Sequence, residues 1–298
     1  MDWIEDFIEY LRYERNYSVR TIEEYQSDLE AFKRFCEALD NGLTWEDMPV
    51  DVVRQWVVEM MDKGNAATSV QRRLSSLRSF YKFLLRRGLV TRDPVHNMQG
   101  PKAERKLPAY VRETEMDRLF EGDFFAEGYT GQRDRMILLT FYTTGIRLSE
   151  LVGLAEKDVD LDQMQLKVTG KRNKQRIIPY GDEYGDCLRS YLAERDDFAE
   201  QRGTQDASLF LDERRAGRMT PGKVRGIVKK YLSMVTTQQR NSPHVLRHTF
   251  ATAMLNHNAD LQSVKELLGH ESLTTTEIYT HTTFEQLKEM YNKAHPRA

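Results

Sequence analysis

A chain of 298 residues, 40% hydrophobic and 30% charged, is expected to be a soluble globular protein, long enough for two domains with buried cores. The longest apolar run, residues 136–146, is too short and too polar to span a bilayer, and the acidic start Met1-Asp2-Trp3-Ile4-Glu5-Asp6 has no signal-peptide pattern. Cys36 and Cys187 lie far apart within helical patterns, as expected for buried thiols in a reducing cytoplasm and not for a disulfide.

The formal net charge of −2 argues against a polyanionic partner, but the average conceals a segregation. Residues 1–62 carry six Lys/Arg against sixteen Asp/Glu, whereas residues 63–106 carry eleven against two, Asp93 and Glu104. A basic block of that strength is the electrostatic footprint of a phosphate-bearing ligand, unless it is only a solvated helix face.

The first ninety residues read as helices. Trp3, Phe7, Ile8 and Leu11 space one apolar stripe, and Ile22, Tyr25, Leu29, Phe32 and Phe35 a second. Pro49 opens a third helix with Val52, Val53, Trp56 and Met60 inward. The fourth places Val70, Leu74, Leu77, Phe80, Tyr81, Leu84 and Leu85 on its apolar side, up to Gly88. Its other faces carry Arg72, Arg73, Arg78, Lys82, Arg86 and Arg87, which suits a bundle helix with its outer face on DNA. Residues 97–108 lose periodicity around Gly100-Pro101 and Pro108. They are the expected linker, extended and basic, between domains at 1–96 and 109–298.

The second half mixes types. Helices are expected at 113–120, 132–144 and 148–154. The alternation of Met164, Leu166 and Val168, followed by Arg176-Ile177-Ile178-Pro179, predicts a β-hairpin whose tip is Gly170-Lys171-Arg172-Asn173-Lys174. Helices resume at 183–201 and at 223–234, the latter behind the cap Thr220-Pro221. Ser242-Pro243 is a second cap-and-proline start, so His244 and Arg247 share a helix face at i and i+3. Asp260 caps a further helix with Leu261, Val264, Leu267 and Leu268 inward and Gly269 as its stop, leaving His270 just past the end. Thr274 or Thr275 caps a short helix carrying Tyr279, and residues 284–291 form an amphipathic tail whose default is to pack on its own domain.

His244 and His248 also have the i, i+4 spacing of helical zinc ligands, but no Glu base lies between them and Arg247 would repel a cation. No Gly-rich phosphate loop and no carboxylate cluster for two metals is present, so neither a metal nor another cofactor is expected.

Taken together, Thr144-Gly145-Ile146-Arg147-Leu148-Ser149-Glu150-Leu151, the basic hairpin tip, His244-x-x-Arg247 and Gly269-His270 ahead of Tyr279 resemble the tyrosine recombinases. Spacing and order are closest to the bacterial Xer recombinases, which resolve chromosome dimers. The resemblance covers nearly the whole chain. It implies a mainly α fold: a helical-bundle core-binding domain, then a mixed α+β catalytic domain with a small hairpin sheet and a tail helix, closed as a C-shaped clamp on DNA.

The resemblance also implies roles. Arg147 and Arg247 clamp the scissile phosphate, Tyr279 attacks it, and His244 takes the phenolic proton. Lys171 protonates the departing 5′ oxygen, with Lys174 as the rival for that role and otherwise a DNA contact. His270 binds the phosphate or orients the site, and Glu150 and His248 support it. Arg72, Arg73, Arg78 and Lys82 bind DNA. The implied partners are double-stranded DNA, three further protomers of this or a second recombinase on two sites, and a cell-division translocase, all in the cytoplasm. An integrase or resolvase of a mobile element, a type IB topoisomerase and a non-cutting DNA-binding regulator remain as alternatives.

Overall fold

Each amphipathic stripe of the first ninety residues becomes a helix, in a computed structural model that describes residues 3–103, 109–170, 173–269 and 284–297. Helix α1 (Trp3–Glu9) runs on as one π-helical turn (Tyr10–Glu14), followed by α2 (Val19–Leu39), α3 (Val50–Asp62) and α4 (Ala67–Arg86). The Ser18 side chain starts α2 by accepting from the Thr21 amide, and Pro49 fixes the extended residue before α3. The apolar faces meet in an aromatic core. Phe32 stands 4.8 Å from Trp56 and Trp45 stands 4.9 Å from Phe80, both edge to face, among buried Phe7, Leu29, Val53 and Leu74.

The stripe of α4 departs from expectation at its end. Leu85 is exposed and Phe83 is buried instead. Phe83 lies 5.4 Å from Phe7 and 5.0 Å from Tyr10, so the first helix and its π turn cover that side of α4. Within the expected linker, residues 97–101 are held against α4. Gln71 Nε2 donates to the Pro101 carbonyl at 2.7 Å, and the Arg78 guanidinium donates to the carbonyls of Val95 and Met98. These elements make up one compact unit, Met1–Lys106; the other is Leu107–Ala298.

The second unit contains α5 (Glu113–Glu121), α6 (Tyr129–Thr144), α7 (Leu148–Gly153), an antiparallel sheet, then α8 (Asp182–Arg202), α9 (Pro221–Val235), α10 (Pro243–Asn256), α11 (Leu261–Leu268) and α12 (Phe284–Ala294). The sheet has the order β1 (Val159–Asp160), β2 (Gln165–Thr169), β3 (Gln175–Pro179), with Leu166 opposite Ile178 and Val168 opposite Arg176. The hairpin matches its prediction. Strand β1 is an addition, two residues being too few to show an alternation.

Helix α6 is the spine of this unit, packed against α8 and α10. It is buried on every side from Met136 to its end at Thr144, and the burial continues through Gly145 and Ile146, with Arg135 before this stretch and Arg147 after it only half-buried. Its buried threonines Thr140 and Thr143 return their hydroxyls to the carbonyls of Met136 and Leu139 at 2.7 and 2.9 Å, and Thr140 Oγ1 also lies 3.0 Å from the Tyr184 hydroxyl of α8. The tail packs on its own unit. Tyr291 and Ala294 of α12 are buried, and His295 stacks 5.1 Å from Tyr291 while its Nε2 donates to the Tyr142 carbonyl at 3.2 Å. No helix among the described residues is long and apolar enough to cross a membrane.

Candidate active site

Helix α6 ends at Gly145 in the left-handed conformation (φ 59°), which turns Ile146 into the core and makes Arg147 the residue that precedes α7. Glu150, three residues on, folds back on that turn. Its Oε2 accepts the Arg147 amide at 2.8 Å and its Oε1 accepts Arg147 Nη1 at 2.9 Å, so the carboxylate caps the helix start and steers the arginine at once. Arg176, arriving on β3, closes a two-pronged contact on the same carboxylate, with Nη1 to Oε1 at 2.7 Å and Nη2 to Oε2 at 2.9 Å.

The end of α11 completes the arrangement. Asp260 starts that helix by accepting the Ser263 amide at 2.9 Å, and Gly269 stops it with φ 63°. Its last carbonyls are orphan acceptors, and each of three successive ones is taken by a different arginine. Leu267 accepts Arg176 Nε at 2.8 Å, Leu268 accepts Arg247 Nη2 at 2.7 Å, and Gly269 accepts Arg147 Nη2 at 2.8 Å. Arg247, from α10, spends Nη1 on the Gly145 carbonyl at 2.7 Å, which ties the end of α6 to the end of α11.

Charge is concentrated here. Burial, then the positive charge of Arg147, lowers the Arg247 guanidinium to about 10, so it stays protonated at neutral pH. Burial acts to raise the Glu150 carboxyl, but the hydrogen bonds from Arg176 and Arg147 outweigh it and hold the group below the usual carboxylate range. Arg147 alone keeps a substantial outward face, 35% of its side chain. The cluster therefore presents an open guanidinium backed by buried ones, a seat for an oxyanion.

His244 is exposed on the first turn of α10, one turn ahead of Arg247. The Ser242 carbonyl accepts the Val245 amide, but its side chain makes no capping bond, so the start is set by Pro243 and not by the expected serine cap. His248 Nε2 lies 3.2 Å from His244 Nε2, and burial, then the nearby His244 and Arg247, lowers its pKa, which keeps it neutral. Among the described residues, no group of three or more His, Cys, Asp or Glu side chains converges as metal ligands would. In the hairpin tip, the Gly170 amide donates to the Lys174 carbonyl at 2.7 Å, Asn173 takes φ 59°, and Lys174 is exposed. Lys171, His270 and Tyr279 lie outside the described residues, as do Thr274 and Thr275.

In the first unit, the basic residues expected on DNA divide into two kinds. Arg72 grips Asp28 with both Nη atoms, Ser76 Oγ donates to the same carboxylate at 2.7 Å, and Arg73 stands 3.7 Å from it. Arg78 is committed to the carbonyls of 95 and 98, whereas Lys82 is exposed. Asp28 and Arg176 are the two organising residues that sequence reasoning passed over. Each left a signal: Asp28 is a carboxylate on the inward stripe of α2, and Arg176 is an arginine on the same side of its strand as buried Ile178.

Comparison with known proteins follows the same division. Residues 110–286 match the Phage integrase family, and residues 4–88 match the N-terminal SAM-like domain of phage integrases. The tyrosine recombinase XerC of Chlorobaculum tepidum is 40% identical across 99% of this chain and 95% of its own length. That of Listeria monocytogenes serotype 4b is 38% identical across 99% and 97%. Of solved structures, the XerH site-specific recombinase bound to palindromic difH substrate, a post-cleavage complex, has a TM-score of 0.72 at 21% identity, over 92% of this chain and 80% of that one. A lambda integrase(75-356) dimer bound to a COC′ core site has 0.67 at 19% identity, over 93% and 98%. The likeness to these structures is one of fold: a helical unit followed by a mainly helical unit with a small sheet.

Proposed function

The chain belongs to the phage integrase family, and from that premise we infer that it is a site-specific DNA recombinase, cutting and rejoining strands through a 3′-phosphotyrosine. The observation that best supports its working centre is the convergence of Arg147 and Arg247 on neighbouring carbonyls at the end of α11.

In the reaction, Arg147 and Arg247 hold the non-bridging oxygens of the scissile phosphate and offset the charge that grows as phosphorus becomes pentacoordinate. The phenol oxygen of Tyr279 bonds to phosphorus, and its proton passes to His244, since a phenol of ordinary pKa near 10 is a poor nucleophile while protonated. The bond from phosphorus to the 5′ oxygen breaks, and Lys171 gives that oxygen a proton. His270 hydrogen-bonds the phosphate, Glu150 fixes the arginines and His248 supports His244. The phosphotyrosine conserves the phosphodiester energy, so the 5′-hydroxyl of a partner strand reverses the step with no nucleotide consumed.

The XerC names of its relatives support a dif-like target and a role in separating joined chromosomes in the cytoplasm. Four protomers, of this chain or of this chain with a second recombinase, are proposed to hold two sites, with a cell-division translocase as activator. Arg72, Arg73, Arg78, Lys82 and Lys174 are proposed to meet DNA phosphates. The test is covalent capture on a nicked suicide duplex carrying a dif-like site, in EDTA. Wild type is expected to form a protein–DNA adduct and Tyr279→Phe none. Absence of a wild-type adduct on every such duplex overturns the recombinase reading. Arg147→Ala and Arg247→Ala are expected to abolish cleavage with DNA binding kept; equal loss of binding would make them simple phosphate anchors.

A further inference from the structure

We propose that His244 and His248 form a two-imidazole chelate for a late first-row divalent metal ion, and that an ion held there blocks strand cleavage by taking the lone pair of the proton acceptor. The chelate stands on the geometry of α10; its effect on cleavage rests on the recombinase reading above.

The two histidines lie one turn apart on one face of α10, with His244 in its first turn. Their Nε2 atoms are 3.2 Å apart, the ring centroids 4.5 Å apart and the ring planes inclined at 75°. Metal–imidazole bonds are about 2.0–2.1 Å long. Two nitrogens on one ion therefore stand about 2.8–3.0 Å apart at a square-planar angle and about 3.3–3.4 Å apart at a tetrahedral one. The observed separation falls between these limits, so an ion enters with the rings close to where they already are. His244 is exposed and His248 half-buried, which leaves the pair within reach of solvent.

The donor set decides which ion and what it does. Neutral imidazoles favour the late first-row ions, whereas Mg²⁺ takes oxygen ligands and keeps its waters. Among the described residues no third His, Cys, Asp or Glu joins the pair, so the ion has two protein ligands and fills its other positions with water. That is neither the closed shell of a structural zinc nor the three-ligand set of a catalytic one, and the ion is an inhibitor, not a cofactor. The positive charge of Arg247 opposes any cation here. Its Nη atoms rest on the carbonyls of Gly145 and Leu268, and the solvent that reaches the pair screens the repulsion, which weakens the site without closing it. Coordination uses the lone pair of each Nε2, so each neutral ring carries its proton on Nδ1. His244 then has no lone pair for the phenolic proton of Tyr279, and the O–H bond of the nucleophile stays intact. A pair that only packs or shares a hydrogen bond makes no such prediction, because neither role involves a metal.

The test uses the full-length protein with Ni²⁺ as probe and Mg²⁺ as control. Titration calorimetry without DNA is expected to show Ni²⁺ binding to wild type, at least about tenfold weaker binding to His248→Leu, and no binding of Mg²⁺. The double variant His96→Gln with His257→Gln, which removes two histidines outside the pair, is expected to bind Ni²⁺ as wild type does. Melting without metal reports whether each variant folds. Single-turnover cleavage of the suicide duplex is then measured against Ni²⁺ concentration, each protein relative to its own rate in EDTA. The wild-type rate is expected to follow the unfilled fraction of the site, falling about tenfold when nine-tenths of it is filled. EDTA restores the rate, and Mg²⁺ leaves it unchanged. Equal Ni²⁺ binding by wild type and His248→Leu would overturn the chelate. Undiminished wild-type cleavage with the site saturated would overturn the block, while its adduct still upholds the recombinase. If wild type forms no adduct in EDTA but its Ni²⁺ binding depends on His248, the recombinase reading fails and the chelate stands.

Discussion

Gly145→Ala tests how tightly the end of α6 is locked to the site. Two costs are separable there. At φ 59° an L side chain adopts the left-handed conformation at a cost of about 1–2 kcal/mol. The added Cβ would also lie 2.5 Å from Phe250 Cδ1 and 2.9 Å from Leu268 Cδ2, both on buried side chains of helices that carry the site. Such overpacking adds about 1–3 kcal/mol. Gly203→Ala is the matched control, because Gly203 ends α8 at φ 63° in the same unit and its Cβ would meet nothing within 4 Å. It carries the conformational cost alone. For a unit of this size each kcal/mol moves the melting temperature by roughly 2–4 °C, so Gly145→Ala is expected to lose about 10 °C and Gly203→Ala about 4 °C. Scanning calorimetry of the full-length variants reads both. Phe250 and Leu268 flank Arg247 and its acceptor, so cleavage is also expected to drop in Gly145→Ala and to survive in Gly203→Ala. Equal melting losses in the two variants would refute the clash and with it the rigid coupling of α6 to α11.

Three further outcomes follow from buried groups. Burial holds His295 neutral, with its pKa lowered from 6.5 to about 4. The unfolded chain binds this proton below about 6.5 and the folded one only near 4, so stability is lost as pH falls through that window, by roughly 3 kcal/mol in full. Urea midpoints at pH 7 and 4.5 measure it, and a His295→Gln variant with an equally steep acid loss would clear this histidine. Asp28→Asn removes the acceptor of Arg72 and Ser76, and because Arg72 is 46% exposed the expected loss is only about 1–2 kcal/mol by urea unfolding. An unchanged midpoint would show the contact to be idle. Burial, then the charge of Glu37, raises the Cys36 thiol to about 11, so native-state labelling with a maleimide is expected at half-buried Cys187 well before Cys36; the reverse order would contradict the packing around α2.

The helices were legible because each buries one continuous stripe, and a stripe is a local pattern. The hairpin was legible for the same reason, its apolar alternation flanking a Gly/Asn tip. What escaped was set by partners far along the chain. Arg176 meets Glu150 and Leu267, and Asp28 meets Arg72 and Ser76, across separations that no periodicity encodes. Phe83 displaced Leu85 from the core of α4 because the side of α4 that is covered depends on where α1 lies, which the α4 sequence does not contain. In the site, Arg147, Glu150 and Arg247 were singled out through the family resemblance, and the structure adds the acceptors that aim them.

Four of the donors around the end of α11 face carbonyls, and a carbonyl has no counterion to exchange. Glu150, whose carboxylate takes the other contacts among the described residues, is buried, where dissolved ions screen little. Phosphate contacts made from an exposed surface behave in the opposite way, losing affinity steeply as counterions compete. Concentrated salt therefore strips DNA from a centre that stays assembled. On return to dilute solution, the duplex meets arginines already in place, and the delay before cutting is set by encounter and not by rebuilding the centre.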